Sequence, residues 1–422
     1  MRFYLREGFV TVALSWILMS VIGCLPFVIN GDIPHFADAL FEMISGFTTT
    51  GATVVSDVEG LTKGSLFWRS FSHWIGGMGV LVFLLAIVPM AGGSHMNLMK
   101  AESPGPSVGK LVPKVRQTAK YLYIIYFALT MIEVIFLLFG GMNLFEALTT
   151  SFGTAGTGGF AIWNDGFVSV SPYNQWVVTI FMLLFGVNFG FYFLILTGKL
   201  RDALKFEEVR IYFIIVIAAA VFIFINLRYF ALYAPAEGIR QAFFQVASII
   251  TTTGFASADF NLWPETSRTI LVLLMFIGAC AGSTGGGIKV SRFIIACKSF
   301  IKEIISYLHP RSVKKIKIEG KPLEHETLRA TNVYFMTYMV IFAVSVLLVS
   351  IENKDLVTNF AAVAATFNNI GPGLSLVGPM ANFGHFTDFT KYILMFDMLA
   401  GRLEIFPMML LFCPAVWKRR RA

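Results

Sequence analysis

The sequence predicts an all-α membrane protein in which four copies of one unit surround a single axis, and three observations lead there. The 422-residue chain is 56% hydrophobic and 14% charged, with a mean hydropathy of +0.72. Eight apolar runs are each about 20 residues or longer, enough to cross a bilayer. Between the two members of each successive pair lies a shorter apolar segment that ends in a glycine-containing strand. Each unit therefore reads as helix, re-entrant half-helix with return strand, helix.

The eight runs lie at about 9–29, 66–91, 120–140, 175–197, 210–232, 268–297, 330–351 and 389–416. The first follows Arg2 and Arg6 and is longer than a signal-peptide core, so it reads as a retained helix. With Gly51, Gly159, Gly254 and Gly371 as position zero, the four intervening segments align without gaps. Thirteen residues back stand the polar Asp38, Glu146, Gln241 and Thr358; six back stand the small Ser45, Gly153, Ser248 and Ala365. The glycines are spaced by 108, 95 and 117 residues, a period that divides the chain into repeats. The boundaries expected are 1–94, 95–198, 199–298 with a broken second helix, a linker at 299–328, and 329–422.

Charge assigns the sides. The loops joining successive units and the two termini hold 25 of the 33 Lys and Arg but nine acids, a net +16. The segments flanking the glycine strands hold seven bases and thirteen acids, a net −6. Positive loops stay in the cytoplasm, so both termini are expected inside and the strands open outward. The basic tail Lys418–Arg421 is then a topology signal and not a nucleic-acid site. In the linker, residues 313–321 alternate around a glycine, the pattern of a small hairpin. Cys24, Cys280, Cys297 and Cys413 show neither metal nor redox spacing, and no two histidines stand at ligand spacing. No cluster of His, Asp or Glu stands at the strands, which argues against a membrane enzyme.

Non-helical backbone at membrane depth is tolerated where it lines a path holding water or ions. Four such strands around an axis present rings of carbonyl oxygens that can replace the hydration shell of a monovalent cation. Glycine keeps Cβ out of such a path and reaches backbone angles closed to other residues. The threonines at 48–50 and 251–253 add hydroxyls. The half-helices end at the strands, so the negative ends of their dipoles favour a cation. Two further features break helical pattern. The run 278–287 is ten small residues, five of them glycine, within the sixth span. It reads as a flexible flap below the strands or as a close helix crossing; no strand precedes it, so it is a poor phosphate loop. Arg402 lies within the eighth span, where a cation is costly. It reads either as part of a gate with that flap or as an ion-pair partner of Glu404 or Asp397. Glu133 reads as a buried hydrogen-bonding group, and Gly76-Gly77-Met78-Gly79 as a packing surface.

These residues carry a resemblance. The chain resembles the Trk/Ktr/HKT potassium transporter superfamily over nearly its full length, most closely its TrkH/TrkG branch. The most specific segments are Phe71-Ser72-His73-Trp74-Ile75-Gly76-Gly77-Met78-Gly79, the four strands, Ala281 to Lys289, and Gly401-Arg402-Leu403-Glu404-Ile405-Phe406-Pro407. The resemblance implies a potassium selectivity filter at Thr50, Gly51, Gly158, Gly159, Thr253, Gly254, Ile370 and Gly371, with potassium held by backbone carbonyls and no organic cofactor. It implies a gate made of Gly282, Ser283, Thr284, Gly285, Gly286, Gly287 and Arg402. It also implies a homodimer with a pore in each protomer, a cytosolic ring of nucleotide-binding RCK subunits of the TrkA type, and a bacterial inner membrane. Chains of the TrkH type carry an extra helix pair before the first unit, whereas Met1 here stands almost at that unit, as in the Ktr branch. A serine replaces the first filter glycine in some sodium-permeable relatives, so Gly51 favours potassium over a sodium-permeable pathway on the same fold.

Overall fold

The four half-helices are the inner wall of the fold, and each ends at a residue of left-handed conformation: Thr49, Thr157, Thr252 or Asn369. The computed structural model describes residues 5–79, 115–309, 315–319, 321–323 and 325–417. Repeat 1 comprises α1 (Leu5–Asn30), half-helix α2 (Phe36–Phe47) and α3 (Lys63–Met78). Repeat 2 has α4 (Val115–Phe139), half-helix α5 (Leu144–Gly156), α6 (Pro172–Phe185) and α7 (Phe189–Leu196). After α8 (Leu200–Ala203), repeat 3 has α9 (Glu207–Tyr229), half-helix α10 (Pro235–Ile250), α11 (Glu265–Ile277) and α12 (Val290–Leu308). Repeat 4 has α13 (His325–Val349), half-helix α14 (Leu356–Phe367), α15 (Asp388–Arg402), α16 (Phe406–Leu411) and α17 (Pro414–Trp417).

Side chains cap two of the half-helix starts, and Pro235 opens a third, α10. Asn143 and Glu146 form a reciprocal capping box on α5, and Asp355 accepts the Thr358 N–H at 2.9 Å on α14. The order of packing closes a ring. Each second helix lies against the half-helix of the next repeat: α3 on α5, α6 on α10, α11 on α14, and α15 back on α2. Within each repeat the first helix packs on its own half-helix. The later turns of the half-helices are buried in consequence, and so are the polar runs Thr48–Thr50 and Thr251–Thr253 that follow two of them.

Among the described residues, four helices are long and apolar enough to cross a membrane unaided: Gly8–Asn30, Lys120–Phe139, Glu207–Tyr229 and His325–Glu352. These are the first helices of the four repeats. The second helices depart from the continuous spans expected. The run 175–197 is two helices, α6 and α7, meeting at 88°. Gly186 ends the first, and the Asn188 side chain caps the second by accepting the Gly190 N–H at 2.8 Å. The eighth run breaks after Arg402, where Glu404 and Ile405 both take positive φ (57° and 70°). Arg402 thus terminates a helix and does not interrupt one. The sixth run breaks where expected, between Ile277 and Val290. In the first repeat α3 ends at Met78, and Gly79 has φ 74°. The second helix therefore stops after 13 to 16 residues in every repeat.

On the linker, α12 extends to Leu308, further than the apolar run alone implied. Lys317 and Ile318 pair antiparallel with Pro322 and Lys321, which is the hairpin expected. The remainder of the second span (80–91), the connector at 101–106, Lys314, Gly320 and the tail 418–421 lie outside the described residues.

Candidate ion pathway

The four strands meet. A Cβ placed on Gly51 would overlap the Gly158 carbonyl oxygen, one on Gly159 the Thr253 oxygen, and one on Gly254 the Ile370 oxygen. One on Gly371 would come within 2.7 Å of the Thr50 oxygen. Each glycine thus faces the carbonyl of the residue before the next repeat's glycine, and the sequence of neighbours returns to its start. All four glycines have positive φ, from 78° to 94°. So do the residues two positions earlier, Thr49, Thr157, Thr252 and Asn369, at 54° to 59°. Those side-chain-bearing left-handed residues are costly, by about 1–3 kcal/mol each, and recur at one position in all four copies. Sequence alignment marked the glycines and not these.

The threonine hydroxyls are used differently from the expectation that they add acceptors beside the carbonyls. Thr48 and Thr251 donate to carbonyls of their own half-helices, Ile44 at 2.6 Å and Ala247 at 2.7 Å. They also bond the hydroxyls of Thr50 at 2.8 Å and Thr253 at 2.7 Å. Repeat 4 joins the brace by a different atom, the Asn369 amide, which donates to Thr50 Oγ1 at 3.0 Å and the Met398 carbonyl at 2.9 Å.

Cavities lie on both sides of the strands. One of about 120 Å³ is lined by all four glycines and by residues that follow them, including Phe160, Phe255, Pro372 and Phe383. The other, of about 90 Å³, is lined by Gly79, Gly282, Gly286, Lys289, Arg402 and Glu404 among others.

The break at 278–289 lies between the strands and this second cavity. A Cβ on Gly285 would come within 2.8 Å of the Thr251 carbonyl, and one on Gly286 within 2.6 Å of the Asn368 carbonyl. The Gly286 N–H donates to Thr252 Oγ1 at 2.5 Å. The segment is tied on its far side too. Cys280 N–H donates to the Gly186 carbonyl and Phe189 N–H to the Gly282 carbonyl, each at 3.0 Å, so the breaks of repeats 2 and 3 satisfy each other. Glu208 on α9 accepts the N–H groups of Ala281 at 2.7 Å and Ser291 at 3.0 Å. The buried Lys289 ammonium donates to the Gly285 carbonyl. The segment packs against the strand ends and is bonded to α9 and to the break of repeat 2, so it is held and not loose.

Arg402 reaches this segment. Its guanidinium donates to the Thr284 carbonyl at 2.8 Å, to the Gly77 carbonyl at 3.1 Å and to the Gly76 carbonyl. The last two are end carbonyls of α3, where a cation is favoured. The glycine run of α3 is a packing surface as well: a Cβ on Gly76 would overlap the Phe47 carbonyl. Neither acid offered as an ion-pair partner for Arg402 is so placed. Glu404 pairs with Arg292 on α12, and Asp397 accepts the Ser345 hydroxyl at 2.7 Å. Glu133 is buried beside Thr154 of α5. His35, Asp38 and Asp388 cluster on the surface, but the Lys391 ammonium already occupies Asp38 at 2.5 Å.

The comparisons agree with this architecture. A family model described as a cation transport protein, TrkH, matches residues 1–419. The Trk system potassium uptake protein TrkH of Escherichia coli K12 is 38% identical over 420 residues, covering 98% of this chain and 86% of that one. TrkG of the same organism is 33% identical over the same shares. The crystal structure of the potassium transporter TrkH from Vibrio parahaemolyticus superposes with a TM-score of 0.86 at 35% identity, over 98% of this chain and 86% of that one. By sequence over nearly its whole length and by fold, the chain belongs to the TrkH family of cation transport proteins.

Proposed function

We propose that the protein is the potassium-conducting membrane subunit of a Trk-type uptake system in a bacterial inner membrane, with both termini cytoplasmic. The observation that carries the reading is the closed cycle of glycines and preceding carbonyls contributed by four repeats. Backbone oxygens in such a ring replace the water around a potassium ion. The filter is Thr50, Gly51, Gly158, Gly159, Thr253, Gly254, Ile370 and Gly371. The named relatives support potassium as the ion, since their names describe potassium uptake. Purified protein in liposomes with an imposed potassium gradient and no other driving force tests it: potassium flux is expected, and none would overturn it. Gly51→Ser is expected to lower potassium-over-sodium selectivity, read from competition in the same assay.

The gate is the segment Gly282–Gly287 with Arg402. Backbone across the path and a fixed positive charge beside it both oppose a cation. The protein works as a homodimer, a pore in each protomer, under a cytosolic ring of TrkA-like subunits. A mechanical route fits that ring. Lys298 on α12 pairs with Glu207 at 2.5 Å and donates to the Lys317 carbonyl of the hairpin at 2.8 Å. The same helix carries Arg292, which holds Glu404 at the elbow beyond Arg402. Displacing the hairpin moves α12 and, through that pair, the gate arginine. Replacing Lys314, Lys315 and Lys317 with glutamine is expected to weaken ring association and flatten its salt dependence. Unchanged pull-down across a salt series would place the docking surface elsewhere.

A further inference from the structure

We propose that His73, with the Arg69–Glu42 pair one turn away, determines cation selectivity by positioning the repeat 2 filter strand against repeat 1. The inference rests on the reading of the four strands as a filter, and adds residues that hold no ion themselves.

His73 is completely buried on α3. Its Nδ1 donates to the Gly46 carbonyl of half-helix α2 at 2.7 Å. Its Nε2 accepts the N–H of Phe160, the residue after Gly159, at 3.2 Å. One partner is an acceptor and the other a donor, so the ring is neutral and its tautomer is settled by them. One side chain thus joins the half-helix of one repeat to the filter strand of the next. The ring also explains a departure among the repeats. In repeats 1 and 3 the residue before the glycine is Thr50 or Thr253, braced by its own Thr48 or Thr251. In repeat 2 that residue is Gly158, and a Cβ there would overlap the imidazole. The histidine from repeat 1 occupies the space that the threonine side chain takes elsewhere.

Arg69 extends the same seam. Its guanidinium lies 4.1 Å from the centre of the Phe160 ring, which also packs on the His73 ring with centroids 4.2 Å apart. It donates to the Ala161 carbonyl at 3.4 Å and to Thr53 Oγ1 at 3.3 Å. Glu42 pairs with it at 2.7 Å and accepts the Val54 N–H at 3.0 Å. Arg69 is 2% exposed and Glu42 0%, so each charge cancels the other where an unpaired cation would repel the permeating ion. One face of α3 therefore holds the strands after Gly51 and Gly159, and the separation of their carbonyls depends on it.

Reversal potentials under bi-ionic potassium and sodium conditions, with purified protein in liposomes, test this. His73→Ala is expected to lower the potassium-over-sodium permeability ratio roughly tenfold, the equivalent of about one buried hydrogen bond. His73→Asn keeps a donor for Gly46 but loses the acceptor for Phe160, and a smaller fall is expected. Wild-type ratios in both variants, with a lowered ratio in Gly51→Ser, would overturn the proposal and leave the filter reading standing. An unchanged ratio in Gly51→Ser as well would remove the filter reading itself. Gly158→Ala supplies a second arm: it is expected to abolish flux alone and to regain it when combined with His73→Ala. No recovery in a folded double variant counts against the proposal. If His73→Ala does not fold, His73→Asn carries the permeability measurement.

Discussion

Arg402→Ala is expected to raise basal potassium flux by roughly ten- to a hundredfold in the absence of a cytosolic partner. Three charge-assisted hydrogen bonds join its guanidinium to the carbonyls of Thr284, Gly76 and Gly77. Bonds of this kind contribute about 1.5–3 kcal/mol each when buried, and these span the closed segment and two repeats. Part of that energy is available to the closed state alone, and each 1.4 kcal/mol of it is about tenfold in the opening equilibrium. The fold is expected to tolerate the change, because neither nearby acid depends on Arg402: Glu404 keeps Arg292, and Asp397 keeps Ser345. Flux and thermal midpoint of the same preparation decide the matter. Normal or reduced flux in a well-folded variant would sink the gate assignment. A large loss of stability would instead make Arg402 a structural strut between repeats 1, 3 and 4.

Gly254→Ala is expected to reduce potassium flux by roughly ten- to a hundredfold while the protein still folds. Gly254 has φ 84°, and the added methyl would overlap the Ile370 carbonyl. A side chain in that backbone conformation costs about 1–3 kcal/mol, so the strand must shift or the carbonyl must turn. Either change removes an oxygen from the ring in the geometry a dehydrated ion needs. Gly159→Ala, whose Cβ would overlap the Thr253 carbonyl, is expected to behave likewise. Wild-type flux and selectivity in both would remove Gly159 and Gly254 from the ion path. Flux at fixed protein density, with thermal stability as the control for folding, makes the measurement.

Much of this site was legible because it repeats. Four glycines in one register, with polar residues thirteen back and small residues six back, are visible without coordinates. Repetition also made the half-helices recognisable, since each is too short to cross a bilayer. The break in repeat 3 announced itself by five glycines, but the break in repeat 2 did not. Residues 175–197 are mostly apolar, and only the cluster Gly186, Asn188 and Gly190 hints at an 88° bend. Hydropathy measures the transfer of side chains and is blind to a backbone whose freed groups find partners on another repeat. The Gly186 and Gly282 carbonyls find theirs on Cys280 and Phe189.

The sequence by itself determined the membrane class, the four-repeat order and the glycine positions, because composition and period are local properties of the chain. Tertiary structure alone decided which charges meet. Arg402 lay close in sequence to two acids and bonds instead to carbonyls of repeats 1 and 3, while Glu404 pairs with an arginine 112 residues away. It alone decided that His73 serves the strand of the following repeat, 87 residues on. Both outcomes have one physical cause. In a ring of four repeats each second helix packs on the next repeat's half-helix, so polar groups at that seam meet partners from another repeat. Sequence proximity carries no information about that neighbour.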